Sequence, residues 1–276
     1  MNHHRQLLFG MYLDALRMND VVEACRAALM TRNRLLLGVL NAAKIVKLRK
    51  DALLRRSLIE CDLLLADGQS VVWASKLLGR PLPERIAGVD VFHQLLLLAH
   101  REGHAIALLG AKPDILGRLQ EELRARFPGL TIVYSHHGYF QDSEAAAIAE
   151  DIRQSGADML FLGMTSPKKE IFLGTYGASL DVPVLHGVGG SFDILAGITK
   201  RAPLAWQRAG MEWAYRALQE PRRLWWRYLT TNTSFIRLTI GELIHPARAF
   251  ASDHDGPAAS ATPLLTGAAS RSPYDE

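Results

Sequence analysis

Short apolar blocks alternate along the chain with longer stretches in which apolar and polar positions recur at helical spacing. Leu7 to Tyr12 reads as a short strand, and Asn19 is placed to cap a helix from Asp20 to about Met30, its side-chain oxygen taking a free backbone N–H. The apolar run Leu35 to Leu40 precedes helical stretches through Lys44 and Arg49 and around Leu53 to Ile59. Leu63 to Ala66 is a compact buried strand ending at Asp67-Gly68, and a helix follows it through Val72 and Leu77. Further strands are predicted at Ala105 to Leu109, Thr131 to Ser135, Met159 to Gly163 and Val182 to Leu185. The helices around and between them are Val91 to His100, Ile115 to Phe127, Ser143 to Ile152 and Lys168 to Leu180.

This alternation implies right-handed βαβ crossovers and an α/β fold, a Rossmann-like, largely parallel sheet with helices on both faces. Ligands of such sheets bind beyond the carboxyl ends of the strands. The loops to search are therefore those at Asn41, Asp67-Gly68, Gly110 to Pro113, His136 to Phe140, Gly163 to Pro167 and Gly187 to Asp193.

From Lys200 the pattern changes. Lys200, Arg201, Arg208, Arg216, Arg222, Arg223, Arg227, Arg237 and Arg248 face only Glu212, Glu220 and Glu242, and Trp206, Trp213, Trp225 and Trp226 lie among them. The expected organisation is an α/β body over 1–199, a basic, aromatic helical appendage over 200–250, and a disordered Ala/Ser/Pro/Gly-rich tail over 251–276. A chain of 276 residues with 49% apolar content can bury the core this needs. Cys25 and Cys61 lack CxxC spacing, so each is expected to be a small buried apolar residue, not half of a disulfide or zinc site. No run is long enough to span a bilayer, and the apolar stretch after Arg5 is too short for a signal h-region, so cytoplasmic residence is expected.

Asp67 stands where a strand meets a glycine, at the edge where a ligand would lie; it reads either as a general base with a raised pKa or as a cap for the following helix. Arg85 follows a proline-bounded turn and reads either as a guanidinium presented to a diphosphate or as a surface ion pair with Glu84 or Asp90. Gly187-Val188-Gly189-Gly190-Ser191-Phe192-Asp193 offers backbone N–H groups that can approach phosphate closely. It lacks the third glycine of a dinucleotide fingerprint, which disfavours a nucleotide-dependent oxidoreductase, and no Walker A sequence occurs. His136, His137 and His186 have no metal-ligand spacing, so no metal is expected. The appendage reads as a membrane-surface element, a nucleic-acid contact or plain helical packing. Tryptophan with arginine suits the headgroup region, whereas no RNA-binding signature accompanies the basic residues. A non-catalytic peripheral membrane or nucleic-acid-binding protein is the alternative class.

Several of these segments together resemble the WecG/TagA/CpsF glycosyltransferase family, from about Leu7 to Leu229. They are Asn41-Ala42-Ala43-Lys44-Ile45-Val46; Ala66-Asp67-Gly68 with Val71-Val72-Trp73-Ala74; Pro81 to Asp90; His137-Gly138-Tyr139-Phe140; Ser166-Pro167-Lys168-Lys169-Glu170; Gly187 to Asp193; and Lys200-Arg201-Ala202-Pro203 with Gly210-Met211-Glu212-Trp213 and Glu220-Pro221-Arg222-Arg223. The resemblance implies an inverting transferase moving a hexose or N-acetylmannosamine-type sugar from a UDP-sugar to a polyprenyl-diphosphate-linked glycan in polysaccharide biosynthesis, without cofactor or obligatory metal. It implies Asp67 as general base, Asn41 as a sugar contact, and Arg85 at the acceptor's diphosphate or the leaving UDP. Gly68, Asp90, Gly110, Tyr139, Pro167, Lys169, Glu170, Gly189, Gly190 and Asp193 would line the substrate cleft. Arg201, Arg222, Arg223, Trp225 and Trp226 would meet phosphate or the inner face of the cytoplasmic membrane. Nucleic acid is not an implied partner, and self-association is left open. The chain departs from the family where Thr-x-Asn is common and Val39-Leu40-Asn41 stands here, where Thr or Ser is common and Val89 stands here, and where Gln is common and Lys169 stands here. The last change adds a charge.

Overall fold

The computed structural model describes residues 4–165, 167–208, 210–219 and 221–250. Strands β1 (Arg5–Leu8) and β2 (Met11–Asp14) form an antiparallel hairpin. The single strand expected over Leu7 to Tyr12 is thus broken: Phe9 (φ 55°) and Gly10 (φ 84°) both take left-handed backbone, the geometry of a tight two-residue hairpin turn. Helix α1 spans Met18–Thr31, so Asn19 lies inside its first turn and not at the cap. The capping carboxylate belongs to Asp20, which accepts from the Arg17 N–H at 2.8 Å.

The central sheet comprises β3 (Leu35–Leu40), β4 (Leu63–Ala66), β5 (Ile106–Gly110), β6 (Ile132–His136), β7 (Met159–Gly163) and β8 (Val184–Gly187), in the order β4-β3-β8-β7-β5-β6. Every pairing is parallel. β8 starts two residues later than the apolar pattern suggests, because Pro183 has no N–H to give to a ladder; its carbonyl instead accepts from Leu35. Connecting helices are α2 (Ala42–Lys47), α3 (Ala52–Ile59), α4 (Gln69–Leu77), α5 (Gly88–Glu102), α6 (Pro113–Arg126), α7 (Ala145–Gln154), α8 (Lys168–Tyr176) and α9 (Ser191–Leu195). α5 begins three residues before the expected Val91, with Asp90 in its first turn where a negative charge meets the positive end of the helix dipole. α8 stops at Tyr176, short of Leu180, which turns into the core.

Crossovers from β3 to β4 and from β6 through β7 to β8 step one way along the sheet, and those from β4 through β5 to β6 step the other. Right-handed connections therefore put α3, α7 and α8 on one face and α5 and α6 on the opposite one. The side chains sort accordingly at period two. Leu36, Leu109, Leu160, Leu162 and Leu185 pack under α7 and α8, while Leu37, Val39, Leu108, Phe161 and Val184 pack against α1, α5 and α6.

Beyond the sheet lie α10 (Leu204–Arg208), α11 (Glu212–Gln219) and α12 (Pro221–Ile244). α12 crosses α2 and is tied to the hairpin. Phe235 packs on Phe9 with ring centroids 5.3 Å apart. The buried Glu242 carboxylate accepts from the Phe9 N–H at 2.9 and 3.0 Å and from Arg80 at 3.1 Å. The tail expected over 251–276 lies outside the described residues.

Candidate active site

Parallel pairing aligns the carboxyl ends of the strands along one edge. Leu40 is level with Ala66, Leu162 with Gly187, Gly110 with Gly163, and Leu109 with His136. The edge therefore presents Asp67, Asn41, Gly187, Gly163, Gly110 and His136 in spatial order, though they are scattered through the chain.

Asp67 is partly exposed just past β4, and its N–H donates to Leu40 O at 2.9 Å. Asn41 caps α2, its Oδ1 accepting from the Lys44 N–H at 3.0 Å, and its side chain also hydrogen-bonds the Asp67 carboxylate. The cap position of α4 is taken by Gly68, with no side-chain cap, so Asp67 is not held as a helix cap. Desolvation pushes the Asp67 pKa above the ordinary 3.8; Lys44, Arg85 and the Asn41 bond pull against this, while Glu212 adds to it. A carboxylate so placed is poised to take a proton from an incoming hydroxyl.

Ile86 N–H donates to Ala66 O at 2.9 Å, which brings the loop before α5 alongside Asp67. Arg85, 14% exposed at its side chain, meets Glu212 at 2.6 Å and Asp90 at 3.6 Å. Glu84 is not its partner; that carboxylate accepts from the Met18 N–H at 2.6 Å. Arg201 grips Asp90 with two bonds of 2.6 and 2.8 Å and lies 3.6 Å from Glu212. Two guanidiniums and two carboxylates thus form one cluster, half from the body and half from the segment after Lys200.

Farther along the edge, Gly110 has φ +144°, and a Cβ there would stand 2.4 Å from Gly163 C, so only glycine lets β5 and β7 end this close together. Gly138 N–H donates to Ala111 O at 2.9 Å and leaves Tyr139 68% exposed on the rim. Lys168 lies over the Phe140 ring at 3.7 Å, Pro167 is exposed beside it, and Ser166 lies outside the described residues. Gly189 takes φ +52° in the loop after β8, with Gly190 exposed and Asp193 half-buried in α9.

His186 is fully buried, its Nε2 3.1 Å from Gly88 O, and burial brings its pKa down to about 4. His136, the last residue of β6, and His137 lie with ring centroids 4.4 Å apart, and β7 and β5 stand between β6 and β8, so the three histidines do not gather.

Two groups that the sequence reading used only inside longer motifs belong to the site: Lys44 and Glu212. Lys44 follows Asn41 by one helical turn, which was the available signal; Glu212 carried none, since its partner is 127 positions away. A cavity of about 360 Å³ opens on the β3 face between α3 and α8, with Lys44, Lys169, Glu170 and Gly187 at one end. Cys61 lines it, only partly buried, contrary to the expectation of a core position; Cys25 is buried. Gly38 makes room for the Cys61 sulfur against β3, since a Cβ there would lie 2.4 Å from it.

Trp225 and Trp226 are exposed on α12, whereas Trp213 packs on Tyr228 and Trp206 on Tyr215. Leu229, Ile236, Ile240 and Ile244 continue the exposed apolar stripe, opposite the buried Phe235, Thr239 and Glu242. The side chains of Arg222 and Arg223 lie outside the described residues. Among the described residues no helix is long and apolar enough to cross a membrane. In sequence comparison, the model of the glycosyl transferase WecG/TagA/CpsF family matches residues 6–249.

Proposed function

The chain belongs to the WecG/TagA/CpsF glycosyltransferase family, and from that premise we propose that it is an inverting transferase using a UDP-sugar and a polyprenyl-diphosphate-linked glycan in surface or exported polysaccharide synthesis. The observation that carries this reading is Asp67, at the carboxyl edge of the sheet, desolvated yet reachable, with Asn41 bonded to it and Arg85 close by. Asp67 removes the proton from the acceptor hydroxyl as that oxygen bonds the anomeric carbon and the bond to UDP breaks from the opposite side. Arg85 and Arg201 supply planar forks suited to a diphosphate, stabilising the charge that grows on the leaving group. The glycine loop after β8, the Gly110 turn and Tyr139 support a nucleotide lying across the middle of the edge. Asp90 and Glu212 hold the two arginines until an anion competes for them.

The exposed Trp225, Trp226, Leu229, Ile236, Ile240 and Ile244 favour α12 as the face resting on the cytoplasmic membrane, which holds the acceptor lipid near the cleft. Residues from Lys200 to 250 then act as a membrane-associating appendage to the 1–199 body. Incubation with a panel of UDP-sugars and a polyprenyl-diphosphate glycan, followed by mass spectrometry, tests the reading. A product heavier by one sugar with release of UDP is expected. Absence of transfer from every donor, together with no binding of UDP, would overturn it.

A further inference from the structure

The turn that joins α2 to α3 takes no part in the chemistry just described, yet it concentrates charge. Between positions 47 and 56, Lys47, Arg49, Lys50, Arg55 and Arg56 stand against the single carboxylate of Asp51, so this short segment carries by itself a net charge equal to the +4 of the whole chain. Asp51 is already committed: its Oδ1 caps α3 by accepting from the Leu54 N–H at 2.9 Å, and Lys47 lies 3.3 Å from its other oxygen. Arg56 pairs with Glu60 at 2.8 Å. Among the described residues Arg49, Lys50 and Arg55 have no carboxylate partner. Like charges crowded this way repel one another, and a nearby anionic surface relieves the repulsion.

Phe250 holds two of the guanidiniums in place. Its N–H donates to Gly10 O at 2.9 Å, and Arg55 and Arg49 lie over its ring at 5.1 and 5.5 Å. Phe250 comes six positions after the last residue of α12, no more than about 20 Å of chain, so the basic turn is seated near the helix end that exposes Ile240, Leu243 and Ile244. Leu53, exposed in the first turn of α3, adds an apolar side chain among the cations. Cations interleaved with aliphatic side chains suit a bilayer interface, where the charge meets headgroup phosphate and the apolar groups enter the acyl boundary. A nucleic acid fits less well: no aromatic residue stands between positions 47 and 56 for a base to stack upon, and the Phe250 ring is covered by the two arginines.

We propose that the α2–α3 turn is a second membrane contact, made by the α/β body itself, which docks on the headgroups of anionic lipids beside the apolar stripe of α12. The inference rests on the reading of α12 as the membrane face and deepens it. An apolar helix alone leaves the body free to pivot about it, whereas a charged contact on a second element fixes the tilt. α2 spans only six residues between the Asn41 cap and the turn, about 9 Å of helix, so the headgroup layer is held close to the edge where Asn41 and Asp67 stand. A lipid-linked acceptor carries its diphosphate in that layer.

Sedimentation of the full chain with phosphatidylcholine vesicles, with and without about 30 mol% phosphatidylglycerol, tests it, the ratio of the two partition coefficients being the readout. The wild type is expected to favour the anionic vesicles by about a hundredfold and to lose that preference at about 0.5 M salt. Each cation near an anionic surface is worth roughly fivefold in affinity, so Lys47→Gln with Lys50→Gln should lower the ratio about ten- to thirtyfold while partition onto phosphatidylcholine alone stays unchanged. Lys50→Glu, at a side chain without a carboxylate partner among the described residues, should lower it too and puts no contact of the fold at stake. Arg124→Gln with Arg126→Gln removes two exposed cations from α6, on the opposite face of the sheet from α3, and should leave the ratio as in wild type. A wild-type ratio of one, a ratio that the lysine variants retain, or an equal loss from the α6 pair overturns the inference while leaving α12 as the membrane face. Failure of the wild type to sediment with either vesicle overturns both.

Discussion

Arg85 Nη1 stands 2.6 Å from Glu212 Oε2, joining the loop before α5 to the start of α11 across 127 positions of sequence. The guanidinium that we propose meets the diphosphate is therefore neutralised by a carboxylate from the segment after Lys200. Glu212 also raises the Asp67 pKa, so one side chain bears on both the cation and the base.

Glu212→Gln frees Arg85 of its closest anion. Affinity for UDP should rise about three- to tenfold, which corresponds to roughly 0.7–1.4 kcal/mol. Calorimetry against UDP checks this; unchanged or weaker binding would show that Glu212 does not compete for the site.

Asp67→Asn should lower transfer by about 10²–10⁴-fold while UDP affinity stays within a few-fold of wild type. Single-turnover assays alongside calorimetry separate the two. Loss of UDP binding with loss of turnover would instead mark Asp67 as a binding group.

The raised Asp67 pKa makes two pH predictions. With Asp67 as the proposed base, transfer would need the ionised carboxylate, so the rate should fall as pH drops through a value above the ordinary 3.8. Stability runs the other way: a raised native-state pKa gives a contribution that is fully present below the unfolded-state value and lost as pH rises through the folded-state value. Asp67→Asn should therefore be more stable than wild type at neutral pH, by a margin that vanishes in acid. Urea titrations at several pH values measure it.

Glu242→Ala removes a buried carboxylate that accepts from Phe9 N–H and pairs with Arg80. Leaving that N–H and the partly buried guanidinium without their acceptor should cost about 2–4 kcal/mol. A urea midpoint within experimental error of wild type would show that the hairpin does not rely on this tie.

Replacing Trp225 and Trp226 with alanine removes two exposed rings from α12 without touching its buried face. Sedimentation with anionic liposomes should drop several-fold while soluble-substrate binding persists. Equal sedimentation of wild type and variant would exclude this face as the membrane contact.

Much of the fold was legible in the chain because burial on both faces of a parallel sheet writes itself as continuous apolar runs. Leu63–Ala66 and Met159–Gly163 match their predicted bounds for that reason. Errors arose where backbone conformation outweighed hydrophobicity. The Phe9–Gly10 turn splits a seemingly continuous strand, and Pro183 delays β8 by withholding a donor.

That Asn41, Asp67, Gly110 and Gly187 lie on one edge could be read along the chain, because each follows or closes a strand and parallel strands share a carboxyl end. What surrounds them depends on strand order and on how the chain folds back. Strand order places β8 beside β3, and so Lys169 beside Lys44; packing of the chain after Lys200 brings Glu212 and Arg201 onto Arg85 and Asp90. Such contacts leave no periodic trace, since ionic partners are selected by proximity in space and local spacing along a strand or helix carries no record of it.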